Sequence, residues 1–351
     1  MRHHVVLSRF IDFPAIEEGA RRGLRPRHSL KQLADRLNAT IHWPTGQKNT
    51  VTDRLRSQFI GAGLWGYARD LAARFSSEDV VYCPDEQIGL PLASLCSRRE
   101  SRPKLVVMVH NVDRPRTRAA LRLCPSFRSA DVFVSVSNRQ LDFLSDSIGI
   151  ERSRTRFVPD QTDVRFFRPG PQDGAKTRPL LVSAGLEKRD YQVLAEAVSG
   201  LDVDVSLTGF SADSAPGGSR FPQAWPANFT RRRYEWTELA DLYRKADVVV
   251  VTLLPNRYAA GITTMVEGMA SARPIVVTRT EGLQGYLDDG DALTLVAPED
   301  PAALRRAILD LLESPETREA RGRRAAEIAA KRYASETHVE TLAAILEGVG
   351  R

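Results

Sequence analysis

The sequence contains few of the residues that stabilise small secreted domains or hold metal ions. Its 351 residues include three cysteines and six histidines, and Cys83, Cys96 and Cys124 do not have the spacing of a zinc site or of a disulfide framework. No apolar run approaches the roughly 20 residues of a membrane-spanning helix. The apolar stretch within residues 1–10 is too short for a signal peptide. These absences favour a protein of the reducing cytoplasm.

Positive charge is concentrated in the first half of the chain. Residues 1–168 hold 28 Lys and Arg against 18 Asp and Glu, whereas the whole chain has a net charge of +6. Two interpretations remain open: the first half meets an anionic membrane surface or a phosphorylated acceptor, or its arginines are merely solvated. Nucleic acid is disfavoured as a partner because neither zinc-finger spacing nor an RNP-type aromatic strand is present.

The segment Ala119–Arg128 is the expected contact with such a surface, which would make the protein cytoplasmic but peripherally attached to a membrane. It is predicted to be a basic helix, with Leu121, Leu123 and Phe127 touching the lipid. The arginines of this region are Arg114, Arg116, Arg118, Arg122 and Arg128.

Short apolar runs alternate with helical patterns along the whole chain, which predicts an α/β protein with parallel sheets. The expected strands of the first half are Val5–Leu7, Asp79–Tyr82, Lys104–Val109 and Val132–Val136, and the expected helices are Leu30–Leu37, Gln58–Phe75 and Arg139–Ile148. A Pro- and Gly-rich linker, Arg168–Pro179, precedes a second alternating half. We therefore expect two Rossmann-like, doubly wound domains, 1–168 and 169–335, facing a central cleft. A helix within 336–351 is expected to pack back on the first domain.

The stretch Asp247–Thr278 is the most informative part of the sequence. It predicts a strand, a loop containing Gly261, a helix over Thr263–Ala272 and a second strand. A helix that begins at the carboxyl edge of a parallel sheet offers unpaired N–H groups to a phosphate. Glu267 lies one turn inside this helix, where a carboxylate would accept hydrogen bonds from ribose hydroxyls. The stretch therefore predicts a nucleotide site.

Several segments between Glu78 and Thr278 resemble the family 4 glycosyltransferases, which have the GT-B fold. SADVFVSVSNRQLDFL and VPDQTDVRFFRP resemble the end of the family's acceptor domain and its crossover into the donor domain. ELADLYRKADVVVV and AGITTMVEGMASARPIVV resemble its nucleotide-sugar segments. The resemblance implies a retaining, hexosyltransferase-type glycosyltransferase that uses a nucleoside-diphosphate sugar, with an N-terminal acceptor domain and a C-terminal donor domain.

The same resemblance assigns residues to the site. Glu267 matches the second glutamate of the E-x7-E motif and implies ribose binding, whereas Ala259 replaces the first, with Tyr258 as the nearest substitute for its contact with the donor sugar. Arg189 matches the residue that binds the pyrophosphate, and Lys188 is the nearest replacement for a second cation. His110 matches a histidine that lines the transferring sugar. His110, Arg189 and Glu267 are thus the predicted catalytic residues, and the remaining donor-binding residues are Gly261, Ile262, Thr263 and Thr264.

Structural alternatives exist for most of these residues. Thr263 or Thr264 could be only the N-cap of the helix, and Glu267 could be a buried acid paired with Arg273. Arg233 and Tyr234 are predicted to lie near the base, although a basic edge strand explains them equally well. The acids of Asp202-Val203-Asp204 resemble a metal motif, but we interpret them as a coincidence because the family handles the leaving diphosphate without a metal.

The function expected from the sequence is sugar transfer in cell-surface glycan, glycolipid or natural-product biosynthesis. Neither a metal nor a cofactor beyond the nucleotide-sugar co-substrate is expected. Two alternatives stay open. One is a sugar-nucleotide epimerase of the same fold. The other is a catalytically silent nucleotide-sugar-binding protein, which is supported by the replacement of the motif's first glutamate by Ala259.

Overall fold

The chain forms two compact units in a computed structural model, which describes residues 1–61, 63–170, 176–208, 218–288 and 290–350. The first unit consists of Met1–Pro14, His28–Pro159 and His338–Arg351. The second consists of Ala15–Arg27 and Asp160–Thr337. The boundary expected at residue 168 lies inside the second unit, and residues 171–175 of the expected linker lie outside the described residues.

The first unit is built on a parallel sheet of six strands within the described ranges, in the order β2-β1-β3-β4-β5-β6. The strands are β1 (Arg2–Val6), β2 (Thr40–His42), β3 (Asp79–Cys83), β4 (Lys104–Met108), β5 (Val132–Ser135) and β6 (Thr155–Phe157). The helices that begin in this unit are α1 (Phe13–Arg21), α2 (Ser29–Leu37), α3 (Val51–Ser57), α4 (Trp65–Arg74), α5 (Glu86–Cys96), α6 (Pro115–Leu123) and α7 (Asn138–Asp142). The central strands are buried on both faces, as crossover helices require.

The second unit repeats this plan with a parallel six-stranded sheet in the order β12-β11-β10-β7-β8-β9, again within the described ranges. Its strands are β7 (Leu180–Ala184), β8 (Asp204–Thr208), β9 (Phe229–Arg231), β10 (Val248–Val251), β11 (Ile275–Thr278) and β12 (Leu293–Val296). Its helices are α8 (Tyr191–Ala197), α9 (Trp236–Lys245), α10 (Ile262–Ala270), α11 (Pro301–Glu313) and α12 (Pro315–Arg332). The predicted α/β class with two doubly wound halves is confirmed.

Most of the C-terminal helix α13 (Ser335–Gly350) belongs to the first unit, where ion pairs and a histidine contact hold it. Arg36 on α2 forms ion pairs with Glu340 and Glu347, at N–O distances of 3.0 and 3.1 Å. The ring nitrogen Nδ1 of His338 lies 2.8 Å from the carbonyl oxygen of Pro159.

The helix predicted over Gln58–Phe75 is wrong in its first turns. α3 ends at Ser57, and α4 begins only at Trp65. Gly61 lies between them with φ +87°, in the left-handed region, where a Cβ would also meet the rings of Pro91 and Trp65. The chain must therefore turn there, which divides the segment into two helices.

The lipid-facing helix predicted over Ala119–Arg128 is also wrong. α6 ends at Leu123, and Pro125–Arg128 form a 3-10 turn. The side chains of Leu121 and Phe127 are 0% and 6% exposed and belong to the hydrophobic core of the first unit. Leu123 alone of the three apolar residues is exposed, so this segment has no apolar face to place in a membrane. None of the described helices is long and apolar enough to cross one.

Candidate functional site

The loop after β10 leads into the N-terminus of α10 at the carboxyl edge of the second sheet. Gly261 is the residue before the first turn, with φ +87°, and a Cβ there would lie 2.7 Å from Cγ1 of Val251. Only glycine fits this position, and it has no side chain with which to cap the helix. No side chain among the described residues caps α10, so its first N–H groups are available to an anion.

Arg189 is buried beside this helix terminus, with 4% of its surface exposed. Its Nε donates to the carbonyl of Ala184 at 2.7 Å, and its Nη1 donates to the carbonyl of Glu187 at 2.9 Å. Nη2 donates to Oγ1 of Thr264 at 3.2 Å. These bonds hold the guanidinium between the end of β7 and the first turn of α10.

The charge of Arg189 has no carboxylate partner among the described residues. Burial lowers the pKa of its guanidinium from the ordinary value, although Tyr191, Tyr243 and Glu187 oppose this shift. The neighbouring carboxylate of Asp190 is instead bonded by Arg220. A buried cation without a counter-ion is costly, and an anion at the α10 terminus would relieve that cost.

Glu267 is a buried acid on the inner face of α10, with 6% of its surface exposed. Its Oε2 accepts a hydrogen bond from the hydroxyl of Tyr243 on α9 at 2.9 Å. Burial raises the pKa of its carboxyl to about 8, Asp160 raises it further, and the Tyr243 bond opposes the rise. Its second oxygen has no partner in the described part of the chain, so it can accept from a ligand hydroxyl.

The structural alternatives for α10 are wrong in this structure. Arg273 does not pair with Glu267; its guanidinium donates to the carbonyls of Ser271 and Ala246. Neither threonine is the N-cap, because that position is Gly261. Thr263 is exposed in the first turn, whereas Thr264 is buried and donates to the carbonyl of Ala184 at 3.1 Å.

The other predicted donor residues lie on the loops around this helix terminus. Lys188 is partly buried with φ 57°, and its backbone carbonyl accepts from the N–H of Leu254 at 2.9 Å. Tyr258 is partly buried, and its N–H donates to Oδ1 of Asn256 at 3.1 Å. Ile262 is 1% exposed, so only its backbone is available to a ligand.

His110 follows β4 in the first unit and is held by the segment that follows β3. Its backbone N–H donates to Oε2 of Glu86 at 2.9 Å. Its Nε2 lies 3.0 Å from the carbonyl oxygen of Pro84, and this nitrogen carries a proton because a carbonyl only accepts. Nδ1 of a neutral His110 is then the lone-pair nitrogen left for a ligand hydroxyl.

The residues predicted near the base lie before α9 on exposed chain. The guanidinium of Arg232 lies 3.8 Å from the ring centroid of Tyr234, and Nε of Arg233 lies 3.9 Å from Oε1 of Glu235. The preceding strand β9 is the edge strand of its sheet and ends at Arg231. The acids Asp202 and Asp204 both pair with Arg178.

Comparison with known proteins links this site to sugar transfer. Residues 223–314 match the family "Glycosyl transferases group 1". The D-inositol 3-phosphate glycosyltransferase 2 of Catenulispora acidiphila is 35% identical over 233 residues, which are 58% of this chain and 53% of that protein. The mannosylfructose-phosphate synthase of Agrobacterium fabrum is 26% identical over 202 residues, 50% of this chain and 43% of that protein. The chain thus spans about half the length of the curated relatives that it matches.

Solved structures match the fold over nearly the whole chain. The Anabaena HepE protein in complex with UDP-glucose has a TM-score of 0.69 at 15% identity and covers 99% of this chain and 100% of that chain. A trehalose-phosphate synthase of Burkholderia vietnamiensis has a TM-score of 0.70 at 14% identity, with 99% of each chain covered. The chain therefore has the fold of these structures, and residues 223–314 match the glycosyltransferase family model. Both α9 and α10 lie within the matched family segment.

Sequence reasoning missed two residues of this candidate site. Tyr243 stands inside the motif ELADLYRKADV, and helical spacing alone does not show that its hydroxyl reaches Glu267. Asp160 precedes the expected domain boundary, and its proximity to Glu267 depends on the packing of the second unit.

We expect Tyr243→Phe to shift the pH dependence of nucleotide-sugar binding. If the ribose prefers the ionised carboxylate of Glu267, affinity should rise up to tenfold per pH unit and level off above about 8, the pKa of Glu267. The Tyr243 hydroxyl favours the ionised form, so its removal should move this midpoint to higher pH. Calorimetry with a nucleoside-diphosphate sugar at a series of pH values measures the midpoint. Glu267→Gln is the control, since it should abolish the dependence; an unchanged midpoint in Tyr243→Phe would show that the hydroxyl is only structural.

Proposed function

We propose that this protein transfers a sugar from a nucleoside-diphosphate sugar to an acceptor, with retention of anomeric configuration. The observation that carries the proposal is Arg189, a buried guanidinium without a described carboxylate partner, bonded to the first turn of a helix whose cap is Gly261. A diphosphate would accept hydrogen bonds from this helix terminus and neutralise the arginine in one step. The UDP and UDP-glucose complexes of HepE are consistent with such a ligand.

The contacts of Arg189 and Glu267 support the roles proposed for them, and the resemblance supports those proposed for Lys188 and His110. Arg189 and the α10 terminus stabilise negative charge that develops on the leaving diphosphate, and they do so without reorganising because their bonds are already made. The free oxygen of Glu267 accepts from the ribose. Lys188 adds a second cation on the same loop. His110, whose Nε2 lies against the carbonyl of Pro84, would contact the transferring sugar through Nδ1.

Turnover with purified protein tests this proposal. A thermal-shift screen against the diphosphates and diphosphate sugars of uridine, guanosine and adenosine should identify the nucleotide, since a ligand present at 100 times its Kd stabilises by about 2.7 kcal/mol. Transfer or slow donor hydrolysis should follow with the matching sugar. Interconversion of the sugar without its release would favour the epimerase, and tight binding without either reaction would favour the silent protein.

Transfer should need no divalent metal. The acids Asp202 and Asp204 both pair with Arg178, and Arg189 with the α10 terminus supplies positive charge for the diphosphate. Turnover should therefore be unchanged, within about twofold, in excess chelator. Activity that is lost in chelator and restored by magnesium or manganese would contradict this, as would loss of activity specific to Asp202→Asn.

We further propose that the acceptor, or the surface that carries it, is anionic and meets the first unit. The support is the excess of 28 cations over 18 acids in residues 1–168, most of which belong to that unit. The competing possibility is a soluble acceptor, as in natural-product glycosylation. In that case the rate of sugar transfer from the donor should be the same with and without vesicles.

A further inference from the structure

An apolar stripe on α3 is exposed to solvent. Val51, Leu55 and Phe59 recur at intervals of four residues, so they line one face of the helix and of the turn that continues it. Their side chains are 74%, 58% and 57% exposed. Single apolar residues on a surface are ordinary. Three on one helical face form a patch whose exposure to water is unfavourable in free energy.

The opposite face of α3 is fixed to the first unit, so the stripe is held in place. Asp53 is buried, forms an ion pair with Arg69 and closes a capping box with Thr50. Beyond the helix, Ile60 lies in the hydrophobic core, and its carbonyl accepts from Nε1 of Trp65 at 2.9 Å. The apolar stripe is therefore displayed on a structured segment.

Exposed cations flank the stripe, and none of them forms an ion pair with a carboxylate among the described residues. Lys48, Arg54 and Arg56 are all exposed. The guanidinium of Arg56 lies 5.0 Å from the ring centroid of Trp65, which orients it along the surface. The one acid of this helix, Asp53, is buried and already paired. We name the α3 surface for these six residues: Lys48, Val51, Arg54, Leu55, Arg56 and Phe59.

We propose that the α3 surface binds an anionic lipid membrane. A helix with an apolar stripe and a basic rim lies in the interface plane of a bilayer, with its apolar side chains below the headgroups and its cations among them. A second copy of the chain is a poorer occupant, since a two-fold contact would bring the same unpaired cations together. Three apolar side chains also cover far less than the roughly 800 Å² per partner of a stable interface. The proposal names the anionic partner of the proposed function but does not depend on catalysis.

Vesicle co-sedimentation tests the surface against a matched site on α6. The protein should sediment with phosphatidylcholine vesicles that contain phosphatidylglycerol at low salt, and much less at high salt or with phosphatidylcholine alone. Lys48→Glu with Arg54→Glu should weaken binding at least roughly 25-fold, because each cation contributes about fivefold. Leu55→Ser with Phe59→Ser should weaken it roughly tenfold or more. Arg56 is left unchanged because it packs on Trp65.

The controls are Arg122→Glu and Leu123→Ser, an exposed cation and an exposed apolar residue on α6, which should bind as the wild type does. As a second readout that does not depend on loss of binding, Phe59→Trp should give a blue-shifted emission with anionic vesicles, and Leu123→Trp should not. The proposal would be overturned if the substitutions on α3 and α6 weakened vesicle binding equally, or if the wild-type protein stayed in the supernatant at low salt. So would self-association that the α3 substitutions abolish while vesicle binding is absent. Donor turnover that persists in those cases would leave the proposed function standing.

Discussion

Arg189→Ala should weaken binding of the nucleoside diphosphate by about 3 kcal/mol, or roughly 100-fold, while the affinity for the nucleoside changes little. The guanidinium is buried, has no carboxylate partner among the described residues and touches the first turn of α10 through Thr264. Its positive charge should therefore stabilise an anion that binds at the N-terminus of α10. The nucleoside carries no phosphate and should not sense the loss. Calorimetry with the two ligands, on the same protein preparation, gives the ratio directly.

A structural defect is separated from this effect by a matched variant. Arg273 is also a buried arginine of the second unit that donates to two backbone carbonyls, but it follows the C-terminal end of α10. Arg273→Ala should lower the thermal midpoint by a comparable amount and leave the ratio of diphosphate to nucleoside affinity unchanged. If Arg189→Ala instead weakens both ligands equally, the residue only holds β7 against α10. Arg189→Lys should recover part of the diphosphate affinity, because a charge returns without the forked geometry.

The sequence predicted the fold better than it predicted the contacts of the site. Parallel strands that are buried on both faces consist almost entirely of apolar residues, as in Val248–Val251. They can therefore be recognised in the sequence even where the ends of the helices cannot. The expected helix over Gln58–Phe75 failed because periodicity does not show that Gly61 must adopt a left-handed conformation against Pro91 and Trp65. The lipid-facing segment failed for a related reason: Leu121 and Phe127 were assigned by charge and spacing, whereas packing places them in the core.

The start of α10 was predicted to within one residue, whereas the functions of the residues around it remain predictions. Gly261 and the start of α10 follow from a strand, a glycine and a helix in order, since the chain geometry fixes what such a turn offers. The partner of Glu267 could not be found in this way. Tyr243 lies on a different helix, and only tertiary packing brings its hydroxyl to the carboxylate. The roles of His110, Lys188 and Tyr258 likewise rest on the resemblance, and they remain predictions.

Glu267→Ala should abolish most nucleotide-sugar binding while the fold survives. A carboxylate that accepts hydrogen bonds from ribose hydroxyls contributes about 2–3 kcal/mol, which is roughly 30- to 150-fold in affinity. The free oxygen of Glu267 faces no described donor, whereas its other oxygen is bonded by Tyr243 at 2.9 Å. Calorimetry should show the loss for nucleoside and nucleoside-diphosphate sugar alike, in contrast to the Arg189 variant. A folded mutant that retains donor affinity would contradict the assignment.

The ribose itself can be tested by pairing this substitution with a change in the ligand. Wild-type protein should bind the 2′-deoxy or 3′-deoxy form of its nucleotide more weakly than the ribonucleotide, because one hydroxyl no longer reaches the carboxylate. Glu267→Gln keeps the size of the side chain and cannot carry its charge, so the ratio of the two affinities should shrink towards one. A buried acid that serves only stability would change both affinities together and leave the ratio intact. Because that ratio is internal to each protein, a modest loss of folding stability cannot imitate the expected result.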